Sequence, residues 1–213
     1  MIEAPSLEKV KRHIQESGNP ICCILFAPSF DDIGVKQIIP RLAYFDNRTS
    51  EKIHFYCVGY MGYGHISSFP DMKELGVSKY KGGTEIPWSF SQMKFAEFVD
   101  EMEASTSWRY SGGTELIVLD SKADFSNAII FKIDDMVKDK AIINANQLLE
   151  ALIQQSRKEE KTIENFSLKG IGVQSSQALV DSIIELLPKG LKSLSAIWTK
   201  GKHYTLDNIA KNK

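Results

Sequence analysis

The chain has 213 residues, of which 43% are hydrophobic and 25% are charged, and its formal net charge at pH 7 is -1. These values are typical of a globular protein, and the length allows one sizeable core or one domain with an appendage. A membrane span and a secretory signal are not expected, because no apolar stretch reaches ~18 residues and residues 1–15 are charged and mixed.

The N-terminal part predicts a helix, a strand, a second helix and a second strand, at residues 6–17, 21–27, 32–45 and 53–59. Both strands are apolar on both faces, which is typical of central parallel strands. Either Asp31 or Asp32 can cap the second helix, because aspartate is a favoured N-cap residue. Pro40 lies inside that helix, so we expect a kink there.

Residues 60–90 follow neither a helical nor a strand period. They are rich in glycine and aromatic residues and include Pro70 and Pro87. A long connection of this kind is either functional or an insertion with its own local structure. We expect an insertion, with a short strand or helix near residues 66–75.

The C-terminal half predicts a helix, two strands and another helix, at residues 92–104, 115–120, 128–133 and 147–157. The two strands have the spacing of a hairpin with a longer loop. After a charged linker, the chain predicts a helix at residues 175–187 and a hairpin that pairs residues 196–199 with 203–206. We therefore divide the chain into a domain of residues 1–157 and an appendage of residues 158–213 packed on it.

From residue 21 the elements are strand, helix, strand, helix, strand, strand and helix, which is the element order of the thioredoxin fold. In thioredoxins a Cys-x-x-Cys motif opens the first of these helices, a lysine follows it directly, and a kinking proline lies four residues beyond the lysine. Residues 32–40 resemble this pattern, with Lys36 and Pro40 in step. The resemblance covers about residues 20–157. It implies an α/β fold with a thioredoxin-like mixed sheet flanked by helices, here with an N-terminal helix, the 60–90 insertion and the C-terminal helix and hairpin.

The redox centre of the thioredoxins is absent from this chain. The two cysteine positions of the motif fall on Asp32 and Val35, which carry no thiol. The cis-proline that thioredoxins place before the hairpin falls near Thr114. The resemblance therefore implies a redox-inactive protein, which is not a thiol-disulfide oxidoreductase, and a shared fold does not supply another activity.

The three cysteines favour a cytoplasmic location. Cys22, Cys23 and Cys57 lie in apolar strands, as small buried residues of a reducing compartment do. Cys22 and Cys23 are adjacent, and adjacent side chains in a strand point to opposite faces, so they do not form a metal-binding pair.

The acidic pair Asp31 and Asp32 has two interpretations. The simpler one is a capped helix N-terminus that the helix dipole stabilises. The other is a metal-dependent hydrolase or nucleotide-processing enzyme that uses Asp31, Asp32 and His65, since hard divalent cations bind clustered carboxylates and histidine titrates near neutral pH. Asp120 is expected at the opposite end of the sheet, because the hairpin strand should run antiparallel to the first strand. We assign no metal ligands and expect no cofactor.

A binding surface is predicted where the 60–90 segment meets the start of the kinked helix. Its glycine-rich residues 59–65 match neither a Walker loop nor a dinucleotide fingerprint, so a phosphate site is not favoured. Exposed aromatic and hydroxyl groups indicate a surface for a partner. The predicted binding residues are Ser29, Phe30, Tyr60, Tyr63, His65 and Trp88.

The tail from residue 189 onward carries six lysines and one aspartate, together with Trp198, His203 and Tyr204. Basic and aromatic residues together are compatible with nucleic-acid binding, although a solvated hairpin is the simpler interpretation. The function that we predict is a redox-inactive thioredoxin-like binding or assembly protein with a protein partner, or alternatively a small-molecule ligand. The hydrolase and the nucleic-acid-binding tail are the alternative functions, and a binding role is favoured over catalysis.

Overall fold

The computed structural model describes residues 1–18, 21–49, 52–62, 69–79, 83, 85–158, 173–187 and 198–211. These residues form a mixed α/β structure in which helices flank a mixed main sheet, and the 60–90 segment forms a second, smaller sheet. Within these ranges no helix combines the length and the apolar character that crossing a bilayer requires.

The strands are numbered in chain order as β1 (Ile2–Ala4), β2 (Ile21–Phe26), β3 (Ile53–Val58), β4 (Tyr60–Met61), β5 (Lys73–Lys79), β6 (Glu85–Phe90), β7 (Glu115–Leu119), β8 (Ala128–Lys132) and β9 (Tyr204–Asp207). The helices are α1 (Leu7–Ser17), α2 (Leu42–Arg48), α3 (Gln92–Ser105), α4 (Ile133–Lys138), α5 (Ala145–Lys158) and α6 (Val173–Leu186). The predicted helices and central strands are confirmed, whereas β1, β4, β6 and α4 have no counterpart in the sequence-based prediction.

The main sheet has the strand order β1-β3-β2-β7-β8-β9. β1, β3 and β2 run parallel to one another, and β7, β8 and β9 add to them in antiparallel pairs. Every residue of β2 is buried, as the apolar pattern on both faces predicts. The predicted hairpin of β7 and β8 is confirmed, and so is its antiparallel direction relative to β2.

The segment that follows β2 is helical but irregular. It winds as a π-helix over Gly34–Ile38, as a 3₁₀ helix over Ile39–Arg41 and as an α-helix only in α2. Pro40 lies in the 3₁₀ stretch, because a proline offers no N–H to an α-helical bond and its ring clashes with the preceding turn. Gly34 permits the close approach of this segment to residues 27–28, which follow β2, since a Cβ there would lie 2.8 Å from the Pro28 carbonyl oxygen. We call residues 32–48 the kinked helix.

Where the sequence predicts an insertion with a short strand or helix near residues 66–75, the described residues of the 60–90 segment form an antiparallel sheet of their own. We call it the small sheet, and its strand order is β4-β6-β5. It is tied to the main sheet where β3 continues into β4, and the Ser91 N–H donates to the Gly59 carbonyl oxygen at 2.9 Å. The Ser91 hydroxyl then caps α3 by accepting a hydrogen bond from the Lys94 N–H at 3.1 Å. The small sheet is thereby held between β3 and α3.

The structure corrects the predicted C-terminal hairpin. Residues 204–207 form β9, which pairs with β8 of the main sheet. Residues 188–197 lie outside the described residues, and Trp198 and Thr199 are not in a strand. The pairing has a physical reason, since β8 would otherwise be an exposed edge of the sheet. α6 packs against α5 of the main domain.

Candidate functional site

Asp31 caps the kinked helix at the carboxyl end of β2. Its Oδ2 accepts one hydrogen bond from the Gly34 N–H at 3.1 Å and another from the Thr114 hydroxyl at 2.5 Å. Thr114 immediately precedes β7, so one carboxylate joins the start of the helix to the start of the hairpin. The capping interpretation is therefore correct for Asp31.

Asp32 has a different environment. Its side chain is 81% exposed and forms an ion pair with Lys36 at 2.7 Å, one helical turn away. The two adjacent carboxylates thus have separate partners. The third residue of the predicted hydrolase site, His65, lies outside the described residues.

A second carboxylate that the sequence prediction missed lies next to Asp31. Asp134 opens α4, its N–H donates to the Thr114 carbonyl oxygen at 3.3 Å, and its side chain packs against Gly113. Burial and the neighbouring Asp31 raise the pKa of Asp134 above the ordinary value. The signal in the sequence is the Asp134-Asp135 pair directly after a strand, which is typical of the first turn of a helix.

Tyr110 and Glu115 complete this carboxylate cluster. The Tyr110 hydroxyl is buried and has no hydrogen-bond partner among the described residues. Burial and the carboxylates of Glu115, Asp134 and Asp31 raise the pKa of Tyr110. Glu115 is 1% exposed, accepts a hydrogen bond from the Trp108 indole at 3.2 Å, and has its pKa raised by burial. A raised carboxyl pKa favours the protonated form, which is the direction that general acid catalysis needs.

Asp120 and Asp31 lie at opposite ends of the main sheet, so Asp120 does not join the carboxylate cluster. Asp120 follows β7, as predicted, and its Oδ1 accepts hydrogen bonds from the N–H groups of Lys122 and Asp124 in a turn. Across the described residues, no three or more His, Cys, Asp and Glu side chains are grouped so that they could hold a metal ion.

The cysteines are inert in this fold. Cys22, Cys23 and Cys57 are fully buried, and none of the three forms a disulfide. Burial, followed by the Asp120 charge, raises the pKa of Cys22 to about 12, and burial raises the pKa of Cys57 to about 12. Because the thiolate is the reactive species, none of the three thiols can act as a nucleophile at neutral pH.

The predicted binding residues do not all lie on one surface. Ser29 and Phe30 form a turn after β2, and the Phe30 side chain is 64% exposed. Tyr60, which we expected at the surface, is only 3% exposed, because its hydroxyl donates to the Ala27 carbonyl oxygen and its ring packs against Phe90. Tyr63 and His65 lie outside the described residues.

Trp88 lines a groove between the kinked helix and the small sheet, with a volume of about 490 Å³. We call it the helix–insertion groove. Its wall is Val35, Ile39, Pro40, Ala43, Tyr44, Asn47, Leu75, Gly76, Val77 and Trp88. The exposed fractions of Val35, Tyr44 and Val77 are 39%, 47% and 50%, so apolar surface is open to solvent here. A concave, mainly apolar site of this size is typical of ligand and partner sites.

Trp88 itself is 5% exposed, and its indole Nε1–H has no hydrogen-bond partner among the described residues. The same side chain lines a second cavity of about 470 Å³, which is bounded by β1 and Gly62. A buried donor without an acceptor is costly, so an acceptor on a bound ligand would relieve that cost.

The groove and the carboxylate cluster are the two candidate sites of the described chain. They lie at different parts of the kinked helix, since the cluster holds its first turn through Asp31 and the groove is lined from Val35 onward. Comparison of the chain with protein-family models, with curated proteins and with solved structures found no match.

Proposed function

We propose that this protein is a redox-inactive, thioredoxin-like binding or assembly module that holds a partner protein in the helix–insertion groove. Two features support the thioredoxin-like part of the proposal. From β2 to α5 the chain runs strand, helix, strand, inserted small sheet, helix, strand, strand and two helices, and β2 lies between a parallel and an antiparallel neighbour. Thr114 also lies against the helix start, where the resemblance places the proline of the thioredoxins.

The observation that carries the binding role is the groove itself. Its two walls come from the segments that the sequence singles out, the kinked helix and the insertion. Apolar side chains that are about half exposed, such as Tyr44 and Val77, lose their contact with water when a partner covers them. Buried, protonated thiols leave no redox role for the same scaffold. The proposal includes a cytoplasmic location, which suits cysteines that form no disulfide.

Site-specific photo-crosslinking in the native host tests this function. A photo-crosslinking amino acid at position 77 lies in the groove, and the same group at position 93, an exposed position of α3, is the matched control. We expect one protein to crosslink from position 77 and not from position 93. The purified partner should then bind the wild-type chain and Met93→Lys, and bind Val77→Lys at least about tenfold more weakly, which corresponds to ~1.4 kcal/mol.

Equal adducts from both positions, or equal binding by the two lysine variants, would contradict the groove as the site. Turnover of an insulin disulfide by the purified chain would contradict the redox-inactive role. Both assays use the full chain, so neither depends on the folding of a fragment.

The hydrolase remains a second candidate because Asp134 adds a carboxyl group of raised pKa beside Asp31. A titration with Mg²⁺ or Mn²⁺ and a phosphodiester substrate tests it, with Asp31→Asn and Asp32→Ala as variants. Metal-dependent turnover that Asp31→Asn abolishes would support this candidate, and the absence of turnover would remove it.

A further inference from the structure

A separate cavity of about 270 Å³ lies between the kinked helix, α5 and the end of α6. We call it the α5 cavity. Most of the residues in its wall are polar or charged, whereas those of the helix–insertion groove are mainly apolar. Its volume is just below the roughly 300–1,000 Å³ of drug-sized ligand sites, so it suits a small polar molecule.

Two amide oxygens at this wall have no hydrogen-bond donor. Asn144 lies directly before α5 and Asn146 in its first turn, and both side chains line the cavity. The Oδ1 atom of each is buried and has no partner among the residues that the structure describes. The cap of α5 uses other amides, since the Gln37 Oε1 accepts from the Ala145 N–H at 2.8 Å. A buried acceptor without a donor is costly, so a ligand that brings N–H groups is favoured.

The wall also carries a positive charge. Arg41 lines the cavity, and its guanidinium has no ion pair or side-chain hydrogen bond with the described part of the chain. The Glu150 carboxylate in the same wall is already paired with Arg48. It also accepts hydrogen bonds from the Tyr44 hydroxyl at 3.2 Å and the Gln154 amide at 3.3 Å. The charge of Arg41 is therefore available to a ligand carboxylate, which a guanidinium binds through two parallel N–H bonds.

We propose that the α5 cavity binds a free α-amino acid, whose carboxylate pairs with Arg41 and whose ammonium group donates to the amide oxygens of Asn144 and Asn146. Ala151 and Leu186 add apolar surface for the side chain of the ligand, which favours a small apolar amino acid. This function goes beyond the proposed partner role, because it belongs to a different cavity.

An amino acid fits the wall better than other small polar molecules. A simple anion such as acetate pairs with Arg41 but leaves the amide oxygens of Asn144 and Asn146 without donors. A simple amine supplies the donors but places a second positive charge beside Arg41, which repels it. An uncharged sugar donates to the amides but leaves the guanidinium without a counter-ion. A zwitterion brings both groups in one molecule.

Calorimetric titration of the full-length chain with each of the twenty amino acids tests the proposal. We expect at least one of them to bind. The N-acetyl derivative of that amino acid lacks the ammonium group, and its primary amide lacks the carboxylate. Each derivative should bind at least about tenfold more weakly, because each leaves one side of the cavity unpaired.

Matched protein variants assign the two contacts. In Arg41→Gln the free amino acid and its primary amide should bind equally well, because the carboxylate has lost its partner. In Asn146→Ala the amino acid should bind about tenfold more weakly, and its advantage over the N-acetyl derivative should shrink. Asn47→Ala is the control, since Asn47 is exposed on α2 and lines the groove but not this cavity, so it should bind as the wild type does.

Three results would overturn the amino-acid site. They are the absence of binding by all twenty amino acids at about 10 mM, an Arg41→Gln chain that still prefers the free amino acid to its amide, and an equal loss of binding in Asn47→Ala and Asn146→Ala. None of them alters the crosslinking expected from position 77, so a failure here is distinguishable from a failure of the proposed function.

Discussion

Asp31 links two segments that are far apart in the chain through a single carboxylate oxygen. The Gly34 N–H and the Thr114 hydroxyl both donate to its Oδ2. The neighbouring Asp32 forms an exposed ion pair with Lys36, and exposed pairs contribute little to stability. A substitution of Asp32 is therefore a control for the same substitution of Asp31.

We predict that Asp31→Ala lowers the free energy of unfolding by about 1–2 kcal/mol, because it removes an N-cap and leaves the Thr114 hydroxyl without its acceptor. Asp32→Ala should change the free energy by less than about 0.5 kcal/mol. Urea denaturation followed by circular dichroism measures both. Equal losses in the two variants would show that Asp31 does not act as the cap.

A second prediction at this scale concerns His54. Its ring stacks on His13 with centroids 5.3 Å apart, and burial followed by the His13 charge lowers the pKa of His54 to about 4. The unfolded chain binds this proton near pH 6.5, so it holds more protons than the folded chain between pH 6.5 and about 4. Stability is therefore full above pH 6.5 and is lost as the pH falls through that window.

We expect the loss attributable to His54 to reach about 1–2 kcal/mol, after allowance for its partial exposure. Denaturant unfolding of the wild type and of His54→Gln across this pH range measures it. The variant should have the flatter profile between pH 6.5 and 4, whereas parallel profiles would mean that His54 does not carry the pH dependence.

At the scale of elements, β9 is the strand whose placement has the clearest consequence. It covers the edge of β8, and its Tyr204 and Leu206 are at most 9% exposed. Next to it His203 is 2% exposed and bonds to Asp139 at 2.8 Å. These residues are buried in the core, whereas the lysine-rich sequence around them predicts a solvated hairpin.

We predict that Leu206→Ala lowers the free energy of unfolding by about 2–3 kcal/mol, since it removes most of a buried side chain. Asp207→Ala, at the next and exposed position, should change it by less than about 0.5 kcal/mol. Thermal unfolding of the two variants is the measurement. A Leu206→Ala protein as stable as the wild type would mean that β9 contributes little to the core.

At the scale of the whole molecule, the sequence predicts what local pattern decides. β2 and β3 are apolar on both faces, and the cap of Asp31 and the break at Pro40 follow from residue chemistry. The pairing of β9 with β8 joins distant parts of the chain, so no local pattern shows it. α4 has six residues and follows β8 directly, so it is too short to show a helical period. The sequence therefore did not predict α4 or the position of Asp134.

The helix–insertion groove also depends on contacts between distant parts of the chain. The sequence indicates its two segments separately, because Pro40 marks one and the irregular 60–90 composition marks the other. Their separation and the edge position of β5 depend on how the small sheet docks on the kinked helix. Tyr60 was predicted to lie at the surface because it stands in a glycine-rich stretch, but the structure buries it.

The three thiols provide a test of the whole fold, because all of them lie in the central strands β2 and β3. Each is fully buried, and burial raises the pKa of each above its ordinary value. A thiol reagent can therefore reach them only when the main sheet opens, and parallel central strands open together in a cooperative unit. We expect Ellman's reagent to label the folded chain slowly, with one shared rate for the three cysteines, and to label all three at once in denaturant. Rapid labelling of Cys57 alone in the folded chain would show that β3 opens without β2, and would contradict a single cooperative core.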